Sequence, residues 1–423
     1  MRNKYLYITL LSVLALHAEA QGQKGTRQAP KLVVNITIDQ LRSDYLDLFA
    51  PTFSTDGFLR LMTEGLLFEQ ASYPFRDIDR ASAISSVVTG ASPFYHTITG
   101  EQWIDRSTFR PVTPTPSDLA VSTIGDELKI ATNGKGKVVS IAPTQTIAEL
   151  AGGHAPNHVI WNSHSRKKWT STDITTQALQ SMTLESLGQD SIPDLLFLNY
   201  EAGAQDQQTY LQLDQEIARL VTQTETQVGK GNTLYIITST GYCEEKSINY
   251  ETYHIPSGTF YNNRTANLLN MYFGGLWGNG KYVDTYFKNQ LYLNTQLLES
   301  KRIKISDATQ IAKEFLMQSA GVKEVDIHLF KAHCGDMTIH LAPGWQLSDE
   351  NTHQIEKAKV DLAYFPLIVF GSGIQSALVQ TPVTIDRIAP SIAKAIRIRA
   401  PNACHAIPLF WVYLCQFIGF LTD

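Results

Sequence analysis

The feature that most restricts the fold of this chain is a repeated alternation of short apolar runs with amphipathic helical segments. The series opens with "KLVVNITI" (31–38), a short, largely apolar and β-branched run that fits a buried strand. Asp39 stands at its end, and "QLRSDYLDLF" continues with helical spacing. "DGFLRLMTEG" predicts an amphipathic helix closed by Gly65, and "LLFEQASY" returns as a strand. Further on, "SDLAVSTIGDELKIATNG" predicts a helix and "KGKVVSIAP" and "PDLLFLNY" predict strands. "TYLQLDQEIARLVTQTETQVG" follows as a long helix and "NTLYIITST" as another strand. This alternation predicts the α/β class, a mostly parallel sheet with helices on both faces.

From about 258 to 345 the pattern changes. Aromatic- and Gly-rich stretches such as "NMYFGGLWGNGKY" interrupt it, and "DMTIHLAPGW" alternates as an antiparallel strand does. The region reads as a small elaborated α+β insertion in one domain spanning 21–423. "FPLIVFGSG" then restores a core strand, and "TIDRIAPSIAKAIRI" a final helix. With 423 residues, 43% of them hydrophobic, the chain can bury a core of that size.

Residues 1–20 carry the three parts of a secretory signal: Arg2 and Lys4, the apolar run Tyr5–Leu16, and the small-x-small site Ala18-Glu19-Ala20. The run is shorter than the roughly 20 residues a spanning helix needs. The expectation is an exported protein, periplasmic or associated with the cell envelope. A net charge of −5 with no long block of one sign excludes a general nucleic-acid binder. Cys243, Cys334, Cys404 and Cys415 are too scattered for a disulfide scaffold and show no C-x-x-C spacing; one disulfide or four free thiols both fit. The C-terminal "IPLFWVYLCQFIGFLTD" is apolar almost throughout, compatible with a buried strand or with a partner-binding or membrane-surface segment.

Together with "ASPFYHTITGEQWID", "GGHAPNHVIW", the Thr89-Gly90 helix end and "DRIAPSIAKAIRIRAPNAC", these segments resemble the alkaline phosphatase superfamily. Within it they are most similar to the exported phosphatases and phosphodiesterases related to nucleotide pyrophosphatases. The resemblance covers most of the mature chain, in order. It implies the alkaline-phosphatase-like fold and a two-metal mechanism, in which two zinc ions bridge a substrate oxygen and a Thr or Ser alkoxide attacks phosphorus. Such chemistry needs carboxylates and imidazoles at strand ends, and donors or cations for the remaining phosphate oxygens.

Position by position, the resemblance finds little of that equipment. Asp39 matches the first metal-binding carboxylate and is the one metal ligand preserved. Counting back from Gly90 through "SYPFRDIDRASAISSVVTG" (72–90), the nucleophile position falls on Arg80. Its guanidinium stays protonated in proteins and cannot attack. Ser82 lies about half a turn further along and faces elsewhere. The loop "EAGAQDQQ" offers Asp206 but no His. An expected Asp-His pair is replaced by Thr240 and Gly241, and the last His position holds Tyr364. The former phosphate-contact positions hold Glu101, Thr144 and Thr146. His154 and His158 stand at H-x-x-x-H spacing, but Pro156 argues against a helix there. His96 sits in a framework stretch where structural hydrogen bonding is expected, and His333-Cys334 is a weak redox or metal cue.

These replacements predict a degenerate pseudophosphatase without a cofactor, serving a binding or assembly role toward an unidentified envelope partner or ligand. The alternative is a metal-dependent phosphatase or phosphodiesterase that hydrolyses phosphate esters through a rearranged site with two zinc ions. Without zinc, Asp39 would be a buried anion lacking compensation, which is expensive. Arg80 is placed to pair with it. The sequence therefore predicts a charge cluster of Asp39, Asp77, Asp79 and Arg80.

Overall fold

The computed structural model describes residues 29–409 apart from 164–167, 204, 245–249, 329–332, 351–353 and 357–358. The secretory signal and all but the start of the apolar C-terminal segment lie outside the described residues.

The alternation seen in the sequence becomes one continuous layer. It begins with β1 (Leu32–Asp39), α1 (Ser43–Phe49), α2 (Phe58–Glu64) and β2 (Leu66–Ser72). Helices α3 (Arg80–Thr89) and α4 (Pro93–His96) precede a small hairpin, β3 (Trp103–Asp105) and β4 (Arg110–Val112). Next come α5 (Ile124–Ala131), β5 (Val138–Ala142), α6 (Gln145–Gly152), β6 (His158–Trp161), α7 (Ser171–Leu184) and β7 (Asp194–Glu201). The long α8 (Gln207–Val228), β8 (Thr233–Ser239) and β9 (Tyr242–Glu244) complete the first part. Every residue of β1 is buried, because β7 and β8 flank it in parallel and helices cover both faces. On α8, Tyr210, Leu213, Ile217, Leu220 and Val221 form one buried stripe at helical spacing.

The second part starts with β10 (Gly258–Tyr261) and α9 (Asn262–Trp277), then β11 (Val283–Phe287), β12 (Gln290–Leu293), α10 (Thr295–Ser300) and α11 (Ile305–Leu316). Strands β13 (Val322–Ile327), β14 (Met337–Leu341), β15 (Trp345–Asp349), β16 (Gln354–Glu356) and β17 (Lys359–Asp361) follow. The chain then returns through β18 (Phe365–Gly371), β19 (Ala377–Val379), β20 (Val383–Thr384) and α12 (Ile388–Ile396).

Among the described residues the main sheet has nine strands, ordered β19-β2-β18-β8-β1-β7-β5-β6, with β20 beside β2. All its pairings are parallel except those of β18, which runs against both neighbours. Two apolar clusters fill the two faces, one under α3, α6 and α12 and one under α7 and α8. A third cluster belongs to the separate antiparallel sheet β11-β12-β14-β13, here called the satellite sheet.

The architecture is of the α/β class expected from the sequence, a mostly parallel sheet with helices on both faces. Two local expectations are corrected. The helix expected across 117–134 is only α5, because the Thr123 hydroxyl caps its start and ends the preceding extended stretch there. Residues 270–277, read as an interruption, continue α9. Gly274 and Gly275 face open space there, while Leu269 and Phe273 anchor the opposite side. Gly90 is needed where it stands: at φ +66° it ends α3, and a Cβ there would lie 2.9 Å from Cys404 Sγ.

Candidate functional site

Alternation along β1 turns Asn35, Thr37 and Asp39 to the face covered by α3, so a polar ladder runs through the core to the C-terminal edge of the sheet. Open α/β sheets bind ligands at that edge. Parallel pairing brings Glu201 of β7 directly beside Asp39, and Thr240-Gly241 follow the end of β8. The helix start opposite is set by Asp79, whose carboxylate accepts from Ala81 N–H at 2.9 Å. Ser82 Oγ closes the turn by accepting from Asp79 N–H at 3.0 Å and donating to Asp79 O at 2.9 Å. Arg80 is therefore the first residue of α3, and its side chain reaches across to Asp39.

Arg80 Nε lies 2.7 Å from Asp39 Oδ2 and 3.6 Å from Glu101 Oε1, while Nη2 lies 3.3 Å from Glu201 Oε1. Lys168 Nζ adds a second cation, 2.5 Å from Glu201 Oε2. On its other oxygen Asp39 accepts from Asn199 Nδ2 at 3.1 Å, and the same amide donates to Thr37 O. The Arg80–Asp39 contact is coulombic: neither Nε nor Oδ2 makes an in-line hydrogen bond, despite the short separation. Burial pushes the Asp39 carboxyl up to about 6, against the downward pull of Arg80 and Asn199. Burial also disfavours the Arg80 charge, yet Asp39, Tyr242, Glu101 and Glu201 hold its pKa above the ordinary arginine value. A permanent cation thus sits among three carboxylates, one of them 1% exposed.

The structure brings Asp39, Arg80 and Glu101 together and leaves the two other members of the expected cluster apart. Asp77 turns away in a left-handed conformation, φ +58°, and its Oδ1 lies 3.3 Å from His340 Nδ1. Asp79 is occupied by the helix start and by Lys359 at 3.5 Å. Thr144 is the exposed N-cap residue of α6, Thr146 is half-buried in its first turn, and Tyr364 is half-exposed before β18. Asp206 is an N-cap, accepting from Thr209 N–H at 2.8 Å. His154 and His158 go to different acids, Asp126 and Glu185. His333 stacks on Trp103 at 4.4 Å, and among the described residues Cys243, Cys334 and Cys404 form no disulfide with one another. Glu201, Lys168 and Tyr242 escaped the sequence reading. Glu201 could have been found by pairing "KLVVNITID" with "PDLLFLNYE" in parallel register.

The model of the type I phosphodiesterase / nucleotide pyrophosphatase family matches residues 33–363. The chain belongs to this family. An alkaline phosphatase, PafA of Elizabethkingia meningoseptica, is 21% identical over 95% of this chain and 98% of its own length. The alkaline phosphatase PhoV of Synechococcus elongatus is 33% identical over 38% of this chain and 34% of its own length. Among solved structures, wild-type PafA superposes with a TM-score of 0.77 at 18% identity, covering 90% of this chain and 98% of that one. Murine ectonucleotide pyrophosphatase / phosphodiesterase 5 superposes with a TM-score of 0.61 at 12% identity, covering 90% and 98%. These two similarities speak to the fold.

The zinc pair implied for the phosphodiesterase family does not fit the residues present. Two dications need several carboxylate and imidazole donors facing one space. Here one oxygen of Asp39 faces a guanidinium and the other an amide N–H. At Gly241, φ +79°, a Cβ would come 2.5 Å from the Tyr73 ring and 3.0 Å from Phe365, so Tyr73 fills the room a ligand side chain would use. The Tyr73 hydroxyl donates to Ser239 O at 3.1 Å, fixing it there. Two hydroxyls of α3 are engaged elsewhere. Ser82 is consumed in the helix cap. Ser86 Oγ lies 2.9 Å from His96 Nε2, but His96 Nδ1 accepts from Ile98 N–H, so in the neutral ring Nε2 is the donor. Burial pushes His96 down to about 3, so the ring is neutral and cannot take the serine's proton at Nε2.

Proposed function

We propose that this chain is an exported, catalytically degenerate member of the phosphodiesterase family, with a binding or assembly role in the cell envelope. The observation that carries the reading is Arg80: a fixed cation stands 2.7 Å from the one surviving metal-site carboxylate, where the chemistry would need a hydroxyl and a metal. Three features support it independently: the glycine backed by Tyr73 at 241, the exposed Tyr364, and the carboxylate Glu101 on the former phosphate side. Export rests on the N-terminal signal pattern, and the apolar C-terminal segment is the proposed point of partner or membrane-surface contact. No described helix is long and apolar enough to cross a membrane.

The competing reading, a zinc-dependent hydrolase of phosphate esters with a rearranged site, is favoured by family membership alone. Turnover of an aryl phosphate and an aryl phosphodiester, with and without added zinc, separates the two. The expected result is no turnover above that of the Asp39→Asn variant. Zinc-dependent turnover abolished by Asp39→Asn would establish the hydrolase.

A further inference from the structure

A second ionic centre lies where the satellite sheet meets the loop that leads into α3. His340, on β14, stands between two carboxylates: Nε2 is 3.0 Å from Asp326 Oδ2 on β13, and Nδ1 is 3.3 Å from Asp77 Oδ1 in the loop. The three side chains are 21%, 30% and 32% exposed, so water screens them only in part. A neutral imidazole has one donor and one acceptor nitrogen. With an ionised carboxylate facing each nitrogen, both contacts are favourable only when both nitrogens carry hydrogen.

We propose that His340 is a proton-operated latch: as an imidazolium it ties the satellite sheet to the loop that aims Arg80 at Asp39, and on losing its proton it releases that loop. Asp77 lies three residues before Arg80, in the loop that leads into the Asp79-capped start of α3. Its left-handed backbone is held from the other side by Asp361 of β17, whose carboxylate accepts from the Asp77 and Ile78 N–H groups at 2.9 and 3.1 Å. Other charges face the latch as well. Glu324 on β13 takes Arg76 at 2.7 Å, Arg76 also lies 3.8 Å from Asp326, and His328 at the end of β13 feels His340. Asp361 completes the set, leaving more acids than fixed cations around the ring. Burial, the dominant influence on Asp77, pushes it up to about 6, so the loop carboxylate is held at an energetic cost that the imidazolium offsets. The latch does not depend on whether the centre at Asp39 hydrolyses anything.

Hydrogen exchange of the full chain, read on peptides spanning 73–80 and corrected for intrinsic exchange, tests this between about pH 6 and 8.5. Protection of the Asp77 and Ile78 amides should fall by roughly tenfold as the pH rises, the scale of one charge-assisted hydrogen bond. His340→Gln, which can hydrogen-bond but not titrate, should give a low and pH-independent protection. Nitrogen-15 NMR of the wild-type protein near pH 6.5, with His340→Gln for assignment, should show both ring nitrogens of His340 protonated; this readout needs no variant to fold well. Protection that does not change with pH, or a ring carrying a single proton, would overturn the latch. So would protection and His340 shifts at pH 7.5 that require stoichiometric zinc, since a metal and not a proton would then bridge the carboxylates.

Discussion

Two ionic centres flank the same loop, and they balance buried acid in different ways. At the end of β1, Asp39 is 1% exposed and faces Arg80, a cation that no accessible pH removes. At the satellite boundary, Asp77 is 32% exposed and faces His340, an imidazole in place of a permanent cation. The deeper the carboxylate, the more an unpaired state costs, so the buried position carries the permanent charge and the half-buried position can hold a switch. The difference also separates a fixed pairing from an adjustable one. An arginine keeps its charge beside Asp39 at every accessible pH, whereas the proposed histidine latch leaves its loop responsive.

The largest expected effect comes from removing the permanent cation. Arg80→Met should cost about 3–5 kcal/mol of unfolding free energy near pH 8, because it strands Asp39 in the core. The loss should shrink toward pH 5, where Asp39 can take a proton instead; chemical denaturation at both pH values measures it. If Arg80→Met is neutral at pH 8, the pair is not what compensates Asp39.

Next in size is the pH dependence that Asp39 contributes. Its folded pKa, about 6, lies above the ordinary 3.8, so the native state holds the proton more tightly than the unfolded chain. Stability attributable to Asp39 is therefore greatest below pH 3.8 and declines as the pH rises through 6. At roughly 1.4 kcal/mol per unit this amounts to about 3 kcal/mol. Asp39→Asn should flatten that part of the stability–pH curve, and an unchanged slope would assign it to other acids.

Smaller effects sharpen the contrast with the satellite boundary. His340→Gln should cost about 1–2 kcal/mol near pH 6.5 and almost nothing near pH 8.5, as measured by denaturation midpoints. Lys168→Ala should change stability by less than about 0.5 kcal/mol, because its side chain is 74% exposed and its pairing with Glu201 is screened. A large Lys168 effect would mean that the Arg80 centre draws on more than its buried members.

The same contrast explains what could be read from the sequence. The apolar runs within 32–39, 138–142, 194–201 and 233–239 announce core strands because both their faces are covered. Asp39 and Arg80 are legible because each stands at an element end, a strand terminus and a helix start. His340 and Asp326 are not, because nothing local marks a β-hairpin residue as the neighbour of a loop some 260 positions earlier. Asp77 was placed in the wrong centre for a related reason: its left-handed backbone, set by Asp361 from β17, redirects a side chain that sequence proximity assigned to Arg80. Tyr73 is hidden likewise, since its packing on Gly241 joins strands far apart in the chain.

The measurement that bears most directly on the central claim is zinc stoichiometry, determined by elemental analysis on protein equilibrated with excess zinc and then desalted. Wild-type protein and Asp39→Asn are compared under identical conditions. An Arg-locked centre predicts that the two carry the same zinc, none of it dependent on Asp39. Two zinc ions per chain in the wild type, lost in Asp39→Asn, would contradict the account, because the metal centre would then persist beside Arg80.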